Sequence, residues 1–476
     1  MNDAPKNATP SFAARLAELH SRLGYAQIPA ANRAAMKRLL LDYLGVTIAG
    51  SRSDSGRIAR EFARLQGRAA EATLIGGGGR VPMAAASFAN AISCHSIELD
   101  DIDVLALFHF SPPVFSAALA VAEARNASGR ELLAALASGC EVMERVSAAS
   151  NNDLRNRAFH TTPTCGVFGA TVAAGKLMKL NAAQLTSALG LAGAQASGLM
   201  EMYGPSMQKR FNPGPAARNG LTAAWMAKLG FTGADSILEG ERGFLRAFAG
   251  GRGGSELAEG LDSPYELRIE FKPYSCARPI HNAIDCALEI RRNHAPAPDA
   301  IESILVKRHP DWSEYHRNAA PRTYHEAQVS LPYSVAVALL EGQALLAQYT
   351  DRKLKTSAVR RLMGITKVET EATLPRGVSC HMTMTLASGE RFTAQVDHPK
   401  GSIENPMSDG ELKAKFENLA LPVIGAARVA AIADRVMNVE RLGDVGELMR
   451  LAVPASRRPA KRRSARHPER QRRNTR

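Results

Sequence analysis

The sequence predicts a mainly α protein, an all-helical body interrupted by an inserted α+β domain. Three observations carry this. Segments rich in Ala, Gly and Leu follow one another from residue 11 to about 260, with apolar positions recurring every three or four residues. Near residue 265 the texture changes. GITKVETEA and VSCHMTMTLASGERFTAQVDHP alternate apolar and polar residues at period two, the pattern of half-covered antiparallel strands. Helical periodicity then returns in SDGELKAKFENLA and ARVAAIADRVMNV. The expected boundaries are 1–264 for the first helical part, 265–402 for the α+β domain, 403–455 for the helical return and 456–476 for a basic tail. No internal repeat is found.

Taken in order, residues 11–24 and 31–50 read as helices, and GRIAREFARLQG as an amphipathic third. Gly76–Gly79 form a run of glycines without the Lys-Ser/Thr of a P-loop or the spacing of a dinucleotide turn, so a tight loop is expected there. MAAASFANAI leads into an acidic cluster. After it, helix, break and helix follow, with Ser128 as the N-cap of ELLAALASGCEVMERV. VFGATVAAGKLMKL, NAAQLTSALGLAGAQASGLM and GPAARNGLTAAWMAKLGF are helices of the kind buried on all sides. In the second domain YELRIEFKPY has a strand-like start, AIESILVKRH reads as a strand and VSLPYSVAVALLEGQ as a helix.

The chain has 476 residues and a formal net charge of +14. From Arg457 onward the tail holds ten Lys/Arg against one acid, Glu469, which leaves +5 for the rest. Such a tail cannot bury enough apolar surface to fold and reads as disordered. Weak nucleic-acid or anionic-surface contact is its functional alternative, but no recognition module or aromatic interleaving accompanies it. The six cysteines are widely and irregularly spaced without a C-x-x-C pair, which points to free thiols in a reducing compartment. Neither a signal-peptide core nor a membrane span is recognisable, since Leu180–Met200 is too polar. A cytoplasmic location is expected, and the acid-poor N-terminus leaves the mitochondrial matrix open.

The chemistry concentrates in turns. His95, Glu98, Asp100, Asp101, Asp103 and His109 fall within fifteen residues, next to an apolar segment fit only for burial. His160 lies in FHTTPTCG, Lys209 and Arg210 in MQKRFNPGPAARNG, Lys272, Arg278 and His281 in FKPYSCARPIH, and Tyr333 in VSLPYSVA. His109, His160 and Lys209 each stand before a helix that reads as buried, so they are expected to line one pocket at helix ends. Helix N-termini and cations favour a carboxylate-bearing ligand, and the nearby acids and imidazoles supply acid/base groups. The cluster could in principle hold a metal, but no H-E-x-x-H or H-x-H spacing supports one. No Ser or Cys nucleophile stands in a recognisable setting.

In these pieces the chain resembles the MmgE/PrpD family, which includes 2-methylcitrate dehydratase, cis-aconitate decarboxylase and iminodisuccinate epimerase. The resemblance rests on LLDYLGVTIAGS, AAASFANAISCHSIELDD, HFSPPVFSAALAVAE, FHTTPTCGVFGATVAAGKL, KRFNPGPAARNG, FKPYSCARPIH, SLPYSVAVAL and HPKGSIENPMSDGELKAKF, and covers about 450 residues. It implies a helical domain carrying an inserted α+β lid, a homodimer, and no required metal or organic cofactor. By motif position, Asp100 and Asp101 match acids of H-x-x-D-x-D-D. His109, His160, Lys209, Lys272 and Tyr333 match further pocket residues. Two departures stand out. Glu98 replaces the first motif Asp, and Phe110 follows His109 where Pro is usual, which suggests a more apolar pocket mouth.

The expected function is therefore a cofactor-independent lyase of a small polycarboxylate, with dehydration of a 2-methylcitrate-like hydroxy acid placed first. Decarboxylation of a cis-aconitate-like acid or epimerisation of a dicarboxylate is the alternative. A non-enzymatic nucleic-acid-associated role through the tail is the remote one. Asp101, His109, His160, Lys209, Lys272 and Tyr333 are the catalytic candidates. Glu98, Asp100, Arg210, Arg278 and His281 are the substrate-binding ones.

Overall fold

The computed structural model describes residues 9–202, 206–251, 254, 257, 259–261, 265–375 and 377–455. The basic tail expected at 456–476 lies outside the described residues. The protein is mainly α. Its principal helices are α1 (Ala30–Gly50), α2 (Met83–His95), α3 (Ser111–Ala124), α4 (Gly129–Ser150), α5 (Thr161–Leu177), α6 (Pro213–Lys228), α7 (His281–His294), α8 (Leu331–Glu341), α9 (Asp409–Ile424) and α10 (Ala426–Met437).

Local chemistry explains several boundaries. Ser128 caps α4 in a reciprocal box with Glu131, satisfying N–H groups that the first turn leaves free. Pro112 and Pro113 occupy the opening turn of α3, where a missing N–H has no cost. α5 is the hub of the helical body and packs on α3, α4 and α6. A Cβ on Gly139 would meet the Gly169 carbonyl oxygen at 2.7 Å. The glycines therefore let α4 and α5 approach backbone to backbone, as the aromatic-poor composition suggests.

Hydrophobic burial forms two clusters. The larger draws on residues from Ala13 to Phe271 and from Met407 to Ala452, so α9 and α10 return to pack beside α1. The smaller draws on residues from Cys276 to Ala394. Here α7 covers a four-stranded sheet made of β1 (Ile301–Arg308), β2 (Thr366–Thr370), β3 (Cys380–Leu386) and β4 (Arg391–Val396), and α8 packs on α7. Its order is β2-β1-β3-β4. The sheet is mixed rather than antiparallel throughout, because β2 runs parallel to β1. A short helix, Ser357–Gly364, brings the chain back to begin β2 in the same direction. The strand expected at YELRIEFKPY does not form. Only Glu270 pairs there, in an isolated bridge to Ile102. That bridge ties the segment to the acidic cluster instead of to the sheet.

All six cysteines are buried and unpaired. Among the described residues no helix is long and apolar enough to cross a membrane.

Candidate active site

The acidic cluster is a buried loop between α2 and α3. His95 closes α2, and Glu98 turns the chain through the left-handed region at φ 55°. Lys415 on α9 donates to the Leu99 carbonyl at 2.7 Å and pairs with Asp42 on α1 at 2.6 Å. Gln328, from the smaller cluster, donates to the Ile97 carbonyl at 3.0 Å. The loop is thus held from both hydrophobic clusters.

Within it the acids have separate partners. The Glu98 carboxylate contacts Lys209 and Arg210 through one oxygen, and Lys272 approaches the other at 3.5 Å. Burial alone would raise its pKa, but the three cations outweigh it and hold Glu98 well below the usual carboxylate range. Asp100 accepts from His95 Nδ1 at 2.7 Å and lies 3.3 Å from His109 Nδ1 and 3.4 Å from Lys272 Nζ. Against the same burial, these groups keep it ionised. Asp101 faces the other way. It accepts from the Phe110 N–H at 2.7 Å and from the Ser111 N–H and hydroxyl, and so anchors the start of α3. Burial, then Asp100, pushes its pKa up to about 7.

The imidazoles form a contiguous set. Ring centres of His95 and His109 are 4.9 Å apart, and those of His95 and His160 6.1 Å. His109 Nδ1 faces two acceptors, the Asp101 carbonyl and the Asp100 carboxylate, so it carries the proton and leaves Nε2 as a lone pair. His160 has the opposite tautomer. Its Nδ1 accepts from the Asn212 amide at 3.0 Å, which places its proton on Nε2. Burial is the main force lowering both. His109 falls to about 3, and His160 lies well below its ordinary value with help from His95 and Lys209. Lys209 is lowered to about 8 by burial, despite Glu98, whereas Asp100 and Glu98 overcome burial to raise Lys272. His95, Asp100 and His109 could offer a cation ligand atoms within 4.8 Å of one another. As placed, both imidazoles turn Nδ1 toward the Asp100 carboxylate.

A cavity of about 80 Å³ brings together Glu98, His109, His160, Lys209, Lys272 and Arg278. It joins the expected residues from four separate turns. Arg278 reaches it with its guanidinium 2.7 Å from Glu270. Asp100, Arg210 and His281 stand behind the lining. Arg210 donates to Gln328 at 2.9 Å, and His281 Nδ1 lies 3.1 Å from the Arg278 guanidinium. Tyr333 is not brought to the cavity. It is buried in the smaller core, and its hydroxyl donates to the Gln348 carbonyl at 2.5 Å. The apolar mouth expected from Phe110, whose ring meets that of Phe108, is corrected too. Both rings are fully buried and pack on each other at 4.6 Å. The apolar wall comes instead from Ile102, Val104, Leu107, Met200 and Val378.

Sequence reading missed Arg155, Trp312 and His316 in the lining, and Asn212 and Gln328 behind it. Arg155 and Trp312 sit singly on one-turn helices and His316 just beyond the second, with no period or motif to mark them. Asn212 precedes the Pro-Gly-Pro start of α6, where it reads as a helix cap, yet it makes no cap bond and turns to His160.

Comparison with known proteins meets this geometry from another side. The MmgE/PrpD N-terminal domain matches residues 14–256, and the MmgE/PrpD C-terminal domain matches residues 274–439. The chain belongs to the MmgE/PrpD family. Among its relatives is a cis-aconitate decarboxylase-like protein, oryM, of Aspergillus oryzae, 29% identical over 94% of this chain and 98% of the relative. The cis-aconitate decarboxylase of Homo sapiens is 29% identical over 94% of each chain. That of Aspergillus terreus is 28% identical over 94% of this chain and 97% of its own.

Proposed function

We propose that this MmgE/PrpD protein is a cofactor-independent lyase of a small polycarboxylate, and that its reaction is decarboxylation of a cis-aconitate-like acid. The observation that carries the proposal is one cavity holding two neutral imidazoles of opposite tautomer beneath a surplus of cations. Lys209, Lys272, Arg278 and Arg155 line it against a single lining carboxylate, Glu98. Such a field selects anions. The relatives' names support the same substrate class.

The free pocket keeps His109 and His160 neutral because it is dry and cationic. A bound polyanion reverses that field and raises both imidazoles, so ligand binding draws a proton onto one of them. In the proposed reaction the C–C bond to the carboxylate on the substrate's CH2 group breaks and CO2 leaves. The released electron pair forms a new C=C bond. The electrons of the old double bond take the imidazolium proton at the carbon next to a retained carboxylate, whose charge Lys209 or Lys272 balances. The apolar wall favours loss of charge from the departing carboxylate. A cavity of about 80 Å³ is smaller than most ligand sites, so the walls from the two hydrophobic clusters part to admit the acid, as an α+β lid would.

Dehydration of a 2-methylcitrate-like hydroxy acid is the second reading, and the tautomers favour it. His109 Nε2 is placed to remove a proton next to a carboxylate, and His160 Nε2–H to hand one to the leaving hydroxyl. Purified protein incubated in heavy water with cis-aconitate, 2-methylcitrate and related acids, followed by NMR and CO2 release, separates the two readings. Loss of CO2 with one deuteron incorporated supports decarboxylation, whereas a new alkene without CO2 supports dehydration. His109→Ala should abolish either with the fold intact. A silent panel rejects the class.

We also propose a homodimer in solution. Exposed Phe62 and Phe211 flank Phe88 at 5.5 and 5.7 Å, an apolar surface that a second copy would cover. Sedimentation as a monomer would remove this.

A further inference from the structure

Three of the four cations lining the cavity are already matched by the protein's own acids. Lys209 pairs with Glu98, Lys272 with Glu98 and Asp100, and Arg278 with Glu270. A ligand carboxylate must compete with these partners, so each such cation yields only part of its attraction. Arg155 differs. It belongs to the one-turn helix Asp153–Asn156, is half-buried, and makes no ion pair among the described residues.

Its setting is nonetheless built. The Arg155 guanidinium lies 5.3 Å from the centre of the Trp312 ring. Trp312 in turn stacks on His316 at 6.2 Å with ring planes 15° apart, and all three side chains line the cavity. Packing on the indole steadies the cation while its N–H fork remains open for a planar carboxylate. Burial is the main force lowering His160 and His316, and the Arg155 charge adds a small contribution to both, so it is felt inside the cavity. Arg155 follows Leu154 of the larger hydrophobic cluster, whereas Trp312 lies in the stretch that builds the smaller one. The contact therefore spans the two walls between which a ligand enters.

We propose that Arg155, steadied by Trp312, anchors a retained carboxylate of the substrate and thereby sets a preference for tricarboxylates over dicarboxylates. The inference rests on the polycarboxylate reading above and deepens it. Because Arg155 is the lining cation with no acid partner among the described residues, the third carboxylate of a ligand gains most there. A ligand lacking that carboxylate leaves Arg155 on the indole and loses the gain.

The test uses calorimetric binding of cis-aconitate and of the three dicarboxylates made by replacing one of its carboxylates with hydrogen: citraconate, glutaconate and itaconate. Each is titrated into the full chain and into Arg155→Met, which keeps an apolar stem over Trp312 without charge. The expected result is a loss of tenfold or more for cis-aconitate. One dicarboxylate, the one lacking the anchored group, should be unaffected by the substitution. The loss for cis-aconitate in excess of the loss for that ligand is then the coupling between Arg155 and the anchored carboxylate. Arg155→Lys keeps the charge without the fork, should give an intermediate loss, and carries the test if Arg155→Met does not fold. Equal losses for all four ligands would make Arg155 a brace for the walls and overturn the proposal, as would no loss for any. Absence of binding by the native protein would instead reject the polycarboxylate reading, and this inference with it.

Discussion

Glu98→Gln is the sharpest perturbation of the site, because one buried carboxylate serves three cations. Glu98 is 1% exposed, and Lys209, Arg210 and Lys272 all reach it. Removing one member of a buried ion pair costs about 3–5 kcal/mol. Two features place this case at the lower end. Arg210 retains Gln328 at 2.9 Å, and Lys272 retains Asp100 at 3.4 Å. Lys209 has its own escape, since its pKa is already about 8. Shedding its proton at pH 7 costs only one pK unit, about 1.4 kcal/mol. The expected loss is about 3 kcal/mol, equivalent at this chain length to a midpoint roughly 3 °C lower in thermal unfolding. The pH dependence has a definite sign. Glu98 raises the Lys209 pKa relative to the variant, so its contribution is complete below the variant's lower pKa and is lost as pH rises through about 8. Thermal unfolding of both proteins at pH 6, 7 and 9 should therefore show the gap narrowing at pH 9. Equal midpoints at pH 7, or a gap that widens with pH, would refute the account of Glu98 as the hub that keeps Lys209 charged.

Three further outcomes follow from the same geometry. kcat/KM should fall about tenfold per pH unit between pH 5 and 7, because the imidazolium that delivers the proton forms only on binding and His109 sits at about 3 in the free pocket, and should fall more steeply above about 8, where Lys209 loses its charge; a pH–rate profile of Lys209→Arg should lack the added steepening, and steepening retained there assigns it to another group. Asn212→Leu releases the His160 tautomer and should lower kcat about tenfold with KM within twofold in steady-state assays, a split that general damage to binding would not give. Tyr333→Phe removes a buried hydrogen bond to the Gln348 carbonyl, so it should cost about 1 kcal/mol in denaturant unfolding while kcat stays within twofold; a large kcat loss would restore the role that motif position implies.

Much of the site was legible because its residues carry local signals. His109, His160 and Lys209 each precede an apolar helix, and such a residue is carried to a helix end whatever the rest of the chain does. The same local reading failed for Phe110 and Tyr333. A residue beside a motif need not face the same way. Phe110 gives its N–H to Asp101 but turns its ring into the core, and α8 points Tyr333 into the sheet cluster. Asp101 illustrates a subtler division. It adjoins Asp100 in sequence, yet one carboxylate faces the imidazoles and Lys272 while the other holds the start of α3.

By itself, the sequence determined the helical body, the interrupting strands, the helical return and most of the groups that carry charge in the cavity. These follow from hydrophobic period, from turn chemistry and from the cost of burying ionisable groups without partners. The tertiary structure alone decided which acid meets which cation, which ring nitrogen of His109 and of His160 holds the proton, and which lining cation has no acid partner among the described residues. Those are relations between residues as far apart as Glu98 and Lys272, or Arg155 and Trp312. They depend on distances of a few ångströms that no spacing along the chain encodes.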